Sequence, residues 1–473
     1  MKSVEAWPSM QAMPRACIEP GHVDRMQRLI SHHSLTTRLV NHVRAFINDP
    51  ATKDTFRGLP RDFTRDRCFT FPVTCFSILK EHSRSSQTRV LHLFQDGAFG
   101  ARNTCPTASA FFQAREKVLP GIFQELTRQA VQFYYANFPQ ESLVTTWRGM
   151  RVWAVDCTRI NLPDNDETRY FYSIQPNQHV DGETVCGLAS FTYDVLNDLP
   201  TNACLEKVQA EKQLLFQHHF THFTGDTIVL YDRGYADYAV IASHVARGIP
   251  CVIRMPIAST FKVVKAFMGD DRQDTIVTLT ASKRTRRGVK AGIYPAKITV
   301  RLVKIMLPTS EKEVLMTNLL DCKKYKTADF KWLYGKRWGV ETGFNRFKNH
   351  LEAECFSSGK VHNIKQDFHA MVFMQVLEAV MNKPHDRQIR ADSMHHSLQH
   401  VYHVNKAGAY TILSDHLVGL FILDESTMLR HLERYMNSIN LFKSPIRPNR
   451  HDKREELTDA RRLRYHVYRK KRR

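Results

Sequence analysis

One stretch constrains this chain more than any other, Lys331-Trp-Leu-Tyr-Gly-Lys-Arg-Trp-Gly-Val-Glu-Thr-Gly-Phe-Asn-Arg-Phe-Lys-Asn-His-Leu351. Thr327 is suited to cap a helix here, with Ala328 and Asp329 in its first turn. Wound at about 100° per residue, the stretch separates into two stripes. Leu333, Val340, Phe344, Phe347 and Leu351 make an apolar arc. Tyr334, Arg337, Glu341 and Lys348 make a second arc beside it, within about 60° of one another. Such a helix buries one stripe and presents a row of Tyr, Arg, Glu and Lys next to it, with Lys331, Lys336 and Arg346 nearby. Two accounts fit the row: an i,i+4 ion pair between Arg337 and Glu341 on an ordinary helix, or a functional face.

The period of the pattern changes along the 473 residues. Helical spacing runs from Val23 to Asn48, from Phe71 to Leu79, from Ser85 to Phe94 and from Thr107 to Tyr135, with an interruption at Pro120-Gly121. The helix carrying Ser109, Gln113, Arg115 and Lys117 follows a Gly-containing turn, as in a helix-turn-helix reader, although packed helices with polar faces produce the same pattern. From Thr145 onward strands take over. Arg151–Thr158 reads as a buried strand ending in Asp156, and Asp226–Asp232 as a second one ending in an Asp. Arg169–Ile174, Thr184–Val195 and Cys251–Met255 read as further strands, with helices over Leu205–Phe220 and Ala236–Arg247. The result is an α/β sheet of mixed direction. Val, Ile and Thr alternate over Thr275–Thr280, Lys297–Ile305 and Glu313–Thr317, a β-rich insertion ahead of the Lys331 stretch. Gln366–Met381 is apolar enough for a core helix, and His395–Val404 and Asp424–Asn440 read as helices.

Charge narrows the partners. The net charge is +21 and the sequence pI is near 9.6, a balance that favours polyanions. Part of it is local, because residues 444–473 hold 12 Lys and Arg against 4 Asp and Glu. The tail Arg461–Arg473 interleaves cations with aromatics and reads either as a phosphate grip or as a solvated end. The ten cysteines contain no C-x-x-C pair, which leaves neither a zinc ribbon nor a redox motif and suits free thiols. The N-terminus lacks the apolar run of a signal peptide and no stretch has the length of a membrane span, so a cytoplasmic, nucleoid-associated protein without membrane contact is expected. His396, His400 and His403 would share one helix face, as zinc ligands or as an ordinary polar face.

Three carboxylates stand out: Asp156 and Asp232 at strand ends, where sites form in open sheets, and Glu341 beside a core stripe. Converging carboxylates repel unless a cation lies among them. A set with oxygen ligands alone suits Mg²⁺, or Mn²⁺. Two such ions can activate a water or hydroxyl and stabilise the leaving oxygen of a phosphodiester. An Asp after an apolar strand can also simply start a turn.

The spacing Tyr334, Arg337, Glu341, Lys348 resembles the Y-(2)-R-(3)-E-(6)-K signature of bacterial insertion-sequence transposases of the DDE superfamily. Asp156-Cys-Thr-Arg-Ile-Asn-Leu-Pro163 is similar to that family's segment around its first Asp, and Tyr231-Asp-Arg-Gly-Tyr235 to the segment around its second. The β-rich insertion between second Asp and Glu is a further likeness. The resemblance covers about Thr145 to Leu351. It implies an α/β ribonuclease-H-like catalytic core interrupted by a β-rich insertion, with a helical N-terminal domain and a helical C-terminal region ending in a basic tail. The expected division is 1–144 for the helical DNA-binding domain, 145–255 and 326–383 for the two parts of the core, 256–325 for the insertion and 384–473 for the C-terminal region.

The resemblance further implies that Asp156, Asp232 and Glu341 are catalytic and hold two Mg²⁺ ions, Mn²⁺ being the other candidate. Tyr334, Arg337 and Lys348 would contact DNA. The reaction would be hydrolysis at the element's terminal inverted repeats, then strand transfer into target DNA by cut and paste, performed by a homodimer or higher multimer on double-stranded DNA. Some relatives hold a flipped base against an aromatic residue of the insertion. Here the insertion has no Trp, and its candidates are Phe261, Phe267 and Tyr294. The rival reading is a non-catalytic DNA-binding protein or repressor derived from a transposase.

Overall fold

Strand β1 (Arg151–Asn161) sets the frame, because its side chains alternate between two buried faces. Val152 and Ala154 enter one apolar cluster, and Trp153 and Val155 enter another. In the computed structural model, residues 34–65, 67–80, 85–176, 183–256, 261–306, 311–396 and 398–447 are described. The basic tail, the expected helix before Ser34 and Cys17 lie outside them.

Chain order through the sheet is β1, helix α7 (Asp166–Phe171), β2 (Ser173–Pro176), β3 (Glu183–Asp194), β4 (Leu199–Lys207), the short helix α8 (Glu211–Leu214), β5 (Thr227–Tyr231), α9 (Tyr238–Ala246) and β6 (Cys251–Arg254). After α10 (Lys262–Met268) come β7 (Asp274–Thr280), α11 (Arg286–Lys290), β8 (Lys297–Met306) and β9 (Lys312–Thr317). The spatial order is β2-β3-β1-β5-β6-β9-β8-β7, with β4 also paired to β3. β1, β5 and β6 are parallel neighbours, while β3 runs antiparallel to β1 and β4. β9 pairs antiparallel with β6, so the three strands of the expected insertion extend the same sheet.

Several local expectations need correction. Leu205 belongs to β4, and the helix read over Leu205–Phe220 is only α8 followed by a π-helical turn at Leu215–His219. Arg169 lies in α7, not in a strand. β1 runs on past Asp156 to Asn161, pairing there with β3 although its pairing with β5 stops at Ala154. The Lys331 stretch is not one helix. It divides into α12 (Thr327–Gly335), a 3₁₀ turn at Lys336–Trp338 and α13 (Gly339–Asn349). The two glycines flanking the turn, each a weak helix former, mark the break. Thr327 does not cap α12; Lys326 holds the cap position, and the Thr327 hydroxyl donates to Asp274.

The helices form their own core. α1 (Leu35–Asn48), α2 (Pro50–Phe56), α3 (Phe71–Leu79), α4 (Ser86–Gln95), α5 (Ala108–Arg115) and α6 (Gly121–Asn137) precede the sheet. The long helix α14 (Val361–Met381) follows α13, then α15 (Lys383–His395), β10 (Tyr402–Val404), α16 (Lys406–Phe421), α17 (Glu425–Leu441) and β11 (Lys443–Pro445). N-terminal and C-terminal helices share one apolar cluster with α14. Because α15 ends at His395 and His403 lies in β10, His396, His400 and His403 do not share a helix face. Among the described residues no helix is long and apolar enough to cross a membrane.

α13 is fixed by aromatic packing. Phe344 and Phe347 meet Phe191 of β3 edge-on at 5.3 and 5.1 Å, and Phe368 of α14 closes the group at 5.5 Å from Phe347. Gly343 permits the approach: a methyl group there would stand 2.7 Å from the Tyr193 ring.

Candidate active site

Side-chain alternation carries Asp156 to the face of the sheet that Val152 and Ala154 occupy, the face covered by α12 and α13. Asp232 follows β5 in phase with Ile228 and Leu230, which bury into the same cluster. Across from them, Arg337 on the 3₁₀ turn is buried and makes two contacts. Its Nη1 donates to Asp156 Oδ2 at 3.3 Å, and its Nη2 donates to Glu341 Oε1 at 3.1 Å. The guanidinium thus joins two of the three expected acids. The i,i+4 ion pair foreseen in sequence is present, as one half of a larger arrangement.

Asp156 sits where ionisation is costly. Burial raises its carboxyl pKa to about 6, the Cys157 backbone N–H and Arg337 pull it down, and the charges of Asp232 and Glu341 push it up. These influences put all three acids in one electrostatic neighbourhood.

The remaining expected residues are placed differently. The Tyr334 ring is buried in the core, and its hydroxyl has no hydrogen-bond partner among the described residues. Burial pushes that phenol well above its ordinary pKa. Lys348 donates to the Arg159 carbonyl at 2.7 Å, on the far half of β1. Arg346 turns away to Asp198 and to the Tyr193 hydroxyl, tying α13 to the β3–β4 turn. Of the insertion aromatics, Phe267 is buried and the Tyr294 hydroxyl donates to the Thr285 carbonyl.

Glu211, at the start of α8, was not singled out in sequence. Its carboxyl pKa is raised to about 7, chiefly by burial and then by the charges of Asp232 and Asp156. A methyl group built on Gly234 would stand 3.0 Å from Asp232 Oδ1 and 3.2 Å from Glu211 Oε2. The two carboxylates thus flank a small open cradle. The sequence signal was slight: an acid about twenty residues ahead of Asp232, in a polar stretch read as mid-helix.

Residues 147–377 match the family model of the transposase DDE domain. The match supports a transposase of the DDE superfamily, and it spans Asp156, Glu211, Asp232, Arg337 and Glu341. No curated protein matches the chain. A solved structure, the cryo-EM structure of piggyBac transposase synaptic complex with hairpin DNA, aligns over 92% of this chain and 87% of that one at 9% identity and a TM-score of 0.40. A likeness that loose carries no argument here.

DDE transposases generally use divalent metal ions. The acids around Gly234 fit such an ion in chemistry, being oxygen donors with an open cradle between them. In their present rotamers they are not a finished cage: among the described residues no three His, Cys, Asp or Glu side chains are grouped to hold a metal. Arg337 supplies the positive charge between Asp156 and Glu341.

Proposed function

We propose that this protein is a transposase of the Y-R-E-K group of bacterial insertion sequences, with Asp156, Asp232 and Glu341 as its catalytic and metal-binding triad. The observation that carries the reading is the meeting of Asp156 and Glu341, 185 positions apart, on one buried guanidinium inside the segment that matches the DDE domain. The strand order β4-β3-β1-β5-β6, antiparallel in its first part and parallel in its second, supports a ribonuclease-H-like core. The division into a helical N-terminal DNA-binding domain, a two-part core, a β-rich insertion and a helical C-terminal region belongs to the same proposal.

In the proposed reaction a water oxygen bonds to phosphorus at the element end, the P–O3′ bond breaks, and the 3′ oxygen leaves as a hydroxyl. That hydroxyl then attacks a target phosphodiester, joining element to target and releasing a target 3′-OH. Two Mg²⁺ or Mn²⁺ ions, when bound, would lower the barrier by activating the attacking oxygen and stabilising the leaving one. Asp156, Asp232 and Glu341 would hold them. Arg337 and Lys348 would hold phosphates, and Tyr334 would shape the wall behind Arg337. Cut-and-paste movement, action as a homodimer or higher multimer on paired DNA ends, and a cytoplasmic, nucleoid-associated location complete the proposal.

A supercoiled plasmid carrying the DNA that flanks the coding region, incubated with protein and Mg²⁺, is the test. Cleavage at the element ends is expected, together with its loss in Asp156→Asn, Asp232→Asn and Glu341→Gln while DNA binding persists. If all three variants still cut, the assignment fails. A second reading, a non-catalytic DNA-binding descendant, draws on one observation, the ion pairing of Arg337 with two of the acids. It predicts DNA binding with no cleavage by the unmutated chain.

A further inference from the structure

The four acids of the site are not equally neutralised. Asp156 and Glu341 share Arg337. On the other side, Asp232 Oδ1 accepts the Gly234 backbone N–H at 2.8 Å and has no ion-pair partner among the described residues. The Glu211 carboxylate accepts no hydrogen bond among them either, and its neighbour Lys212 is engaged by Asp237 at 3.2 Å. Yet Glu211 Oε2 and Asp232 Oδ1 close on the same point above Gly234, at 3.2 and 3.0 Å. Two like charges held about a shared open point, with no cation between them, raise the energy of the empty site and favour a positive ion entering it. Independently of this geometry, the match to a domain family that uses divalent metals says what kind of ion that is.

We infer that Glu211 is a fourth metal-binding carboxylate, which together with Asp156 and Asp232 receives a divalent cation over Gly234 while Arg337 keeps hold of Glu341. This rests on the transposase reading and deepens it. The backbone explains why position 234 is glycine: any side chain there would fill the cradle. Lying on α8 rather than on a sheet strand, Glu211 reaches the site from the side opposite to α13 and is independent of the Y-R-E-K row.

The test is Mn²⁺ binding to the full chain without DNA, followed by electron paramagnetic resonance or calorimetry, so that the readout does not depend on cleavage. Glu211→Gln is expected to weaken Mn²⁺ binding about tenfold or more, Glu211→Asp to recover part of it, and Gly234→Ala to weaken it as well. The metal-free thermal midpoint of Glu211→Gln should be no lower than that of the unmutated chain, because the substitution removes a repulsion. If Asp156→Asn and Asp232→Asn lose Mn²⁺ while Glu211→Gln binds it like the unmutated chain, the Glu211 assignment is wrong and the transposase reading stands. If the unmutated chain binds no Mn²⁺, both fall.

Discussion

Arg337 donates to Asp156 across 181 positions of sequence at 3.3 Å, and this contact ties the late helices to the first strand of the sheet. The guanidinium is buried, and burial works against its charge, but Tyr334, Asp156 and Glu341 hold its pKa above the ordinary value. Replacing it with Met strips Asp156 of a cation that lowers its pKa, so that carboxyl should titrate higher still than about 6. Lys offers a point charge in place of a fork and cannot serve both acids as Arg does. Both Arg337→Met and Arg337→Lys are expected to lower plasmid cleavage, the former by about ten- to a hundredfold, the loss of a charge-assisted hydrogen bond. Cleavage at the unmutated rate by Arg337→Met would show that the bridge has no part in the reaction.

Gly343→Ala should damage the site without touching it. The added methyl would meet the Tyr193 ring at 2.7 Å, closer than packed atoms tolerate. α13 must then lift from β3, carrying Glu341 with it. Overpacking of this kind costs about 1–3 kcal/mol. A lower midpoint in urea unfolding together with reduced cleavage is expected, and an unchanged midpoint would mean that α13 can shift freely.

A third prediction concerns the joint between the helical layers and the core. Arg115 of α5 is fully buried and ion-paired with Asp367 of α14 at 2.9 Å. It also donates to Gln366 at 2.9 Å and to Ser357 at 2.5 Å. Removing one partner leaves an uncompensated buried charge. Arg115→Met is therefore expected to destabilise the fold by about 3–5 kcal/mol, and the double variant Arg115→Met/Asp367→Leu by clearly less. Equal losses for single and double variants, read from denaturant midpoints, would contradict this.

His244 gives the chain a sensitivity to acid. Its ring lies between Tyr231 and the Ile249 carbonyl, at 2.8 and 3.1 Å. A carbonyl only accepts, so Nδ1 carries the proton and Nε2 accepts from the Tyr231 hydroxyl. Burial lowers the pKa from 6.5 to about 3. The unfolded chain therefore binds more protons than the folded one between those two values. Its contribution to stability is complete above pH 6.5 and declines as the pH falls toward 3. Replacing His244 by Gln should flatten the pH dependence of the unfolding free energy there by up to about 1.4 kcal/mol per pH unit. An unchanged slope would assign the acid sensitivity to other groups.

How much of this was legible in sequence depends on what carried the signal. Asp226–Asp232 was readable because five consecutive apolar residues of a fully buried strand end in an acid. The strands at Thr275, Lys297 and Glu313 were readable because their alternation survives in the fold. Period alone could not show that the Lys331 stretch breaks at Lys336–Trp338, since a 3₁₀ turn shifts the wheel by only a fraction of a turn. Tyr334 was assigned to the polar arc, but tertiary packing buried its ring. Glu211 was hidden for a different reason: β4 and α8 were merged into one helix, so the acid had no sheet end or helix start to mark it.

The pairing of β9 with β6 has a consequence for how this chain can change. Arg254 and Thr317 are 63 positions apart, yet both belong to strands laced side by side. Everything between them leaves the sheet and returns to the same place. Residues can thus be gained or lost at the tips beyond β6 without disturbing the spacing of Asp232 and Glu341. The hairpins beyond that seam are free to diversify while the acids stay in register.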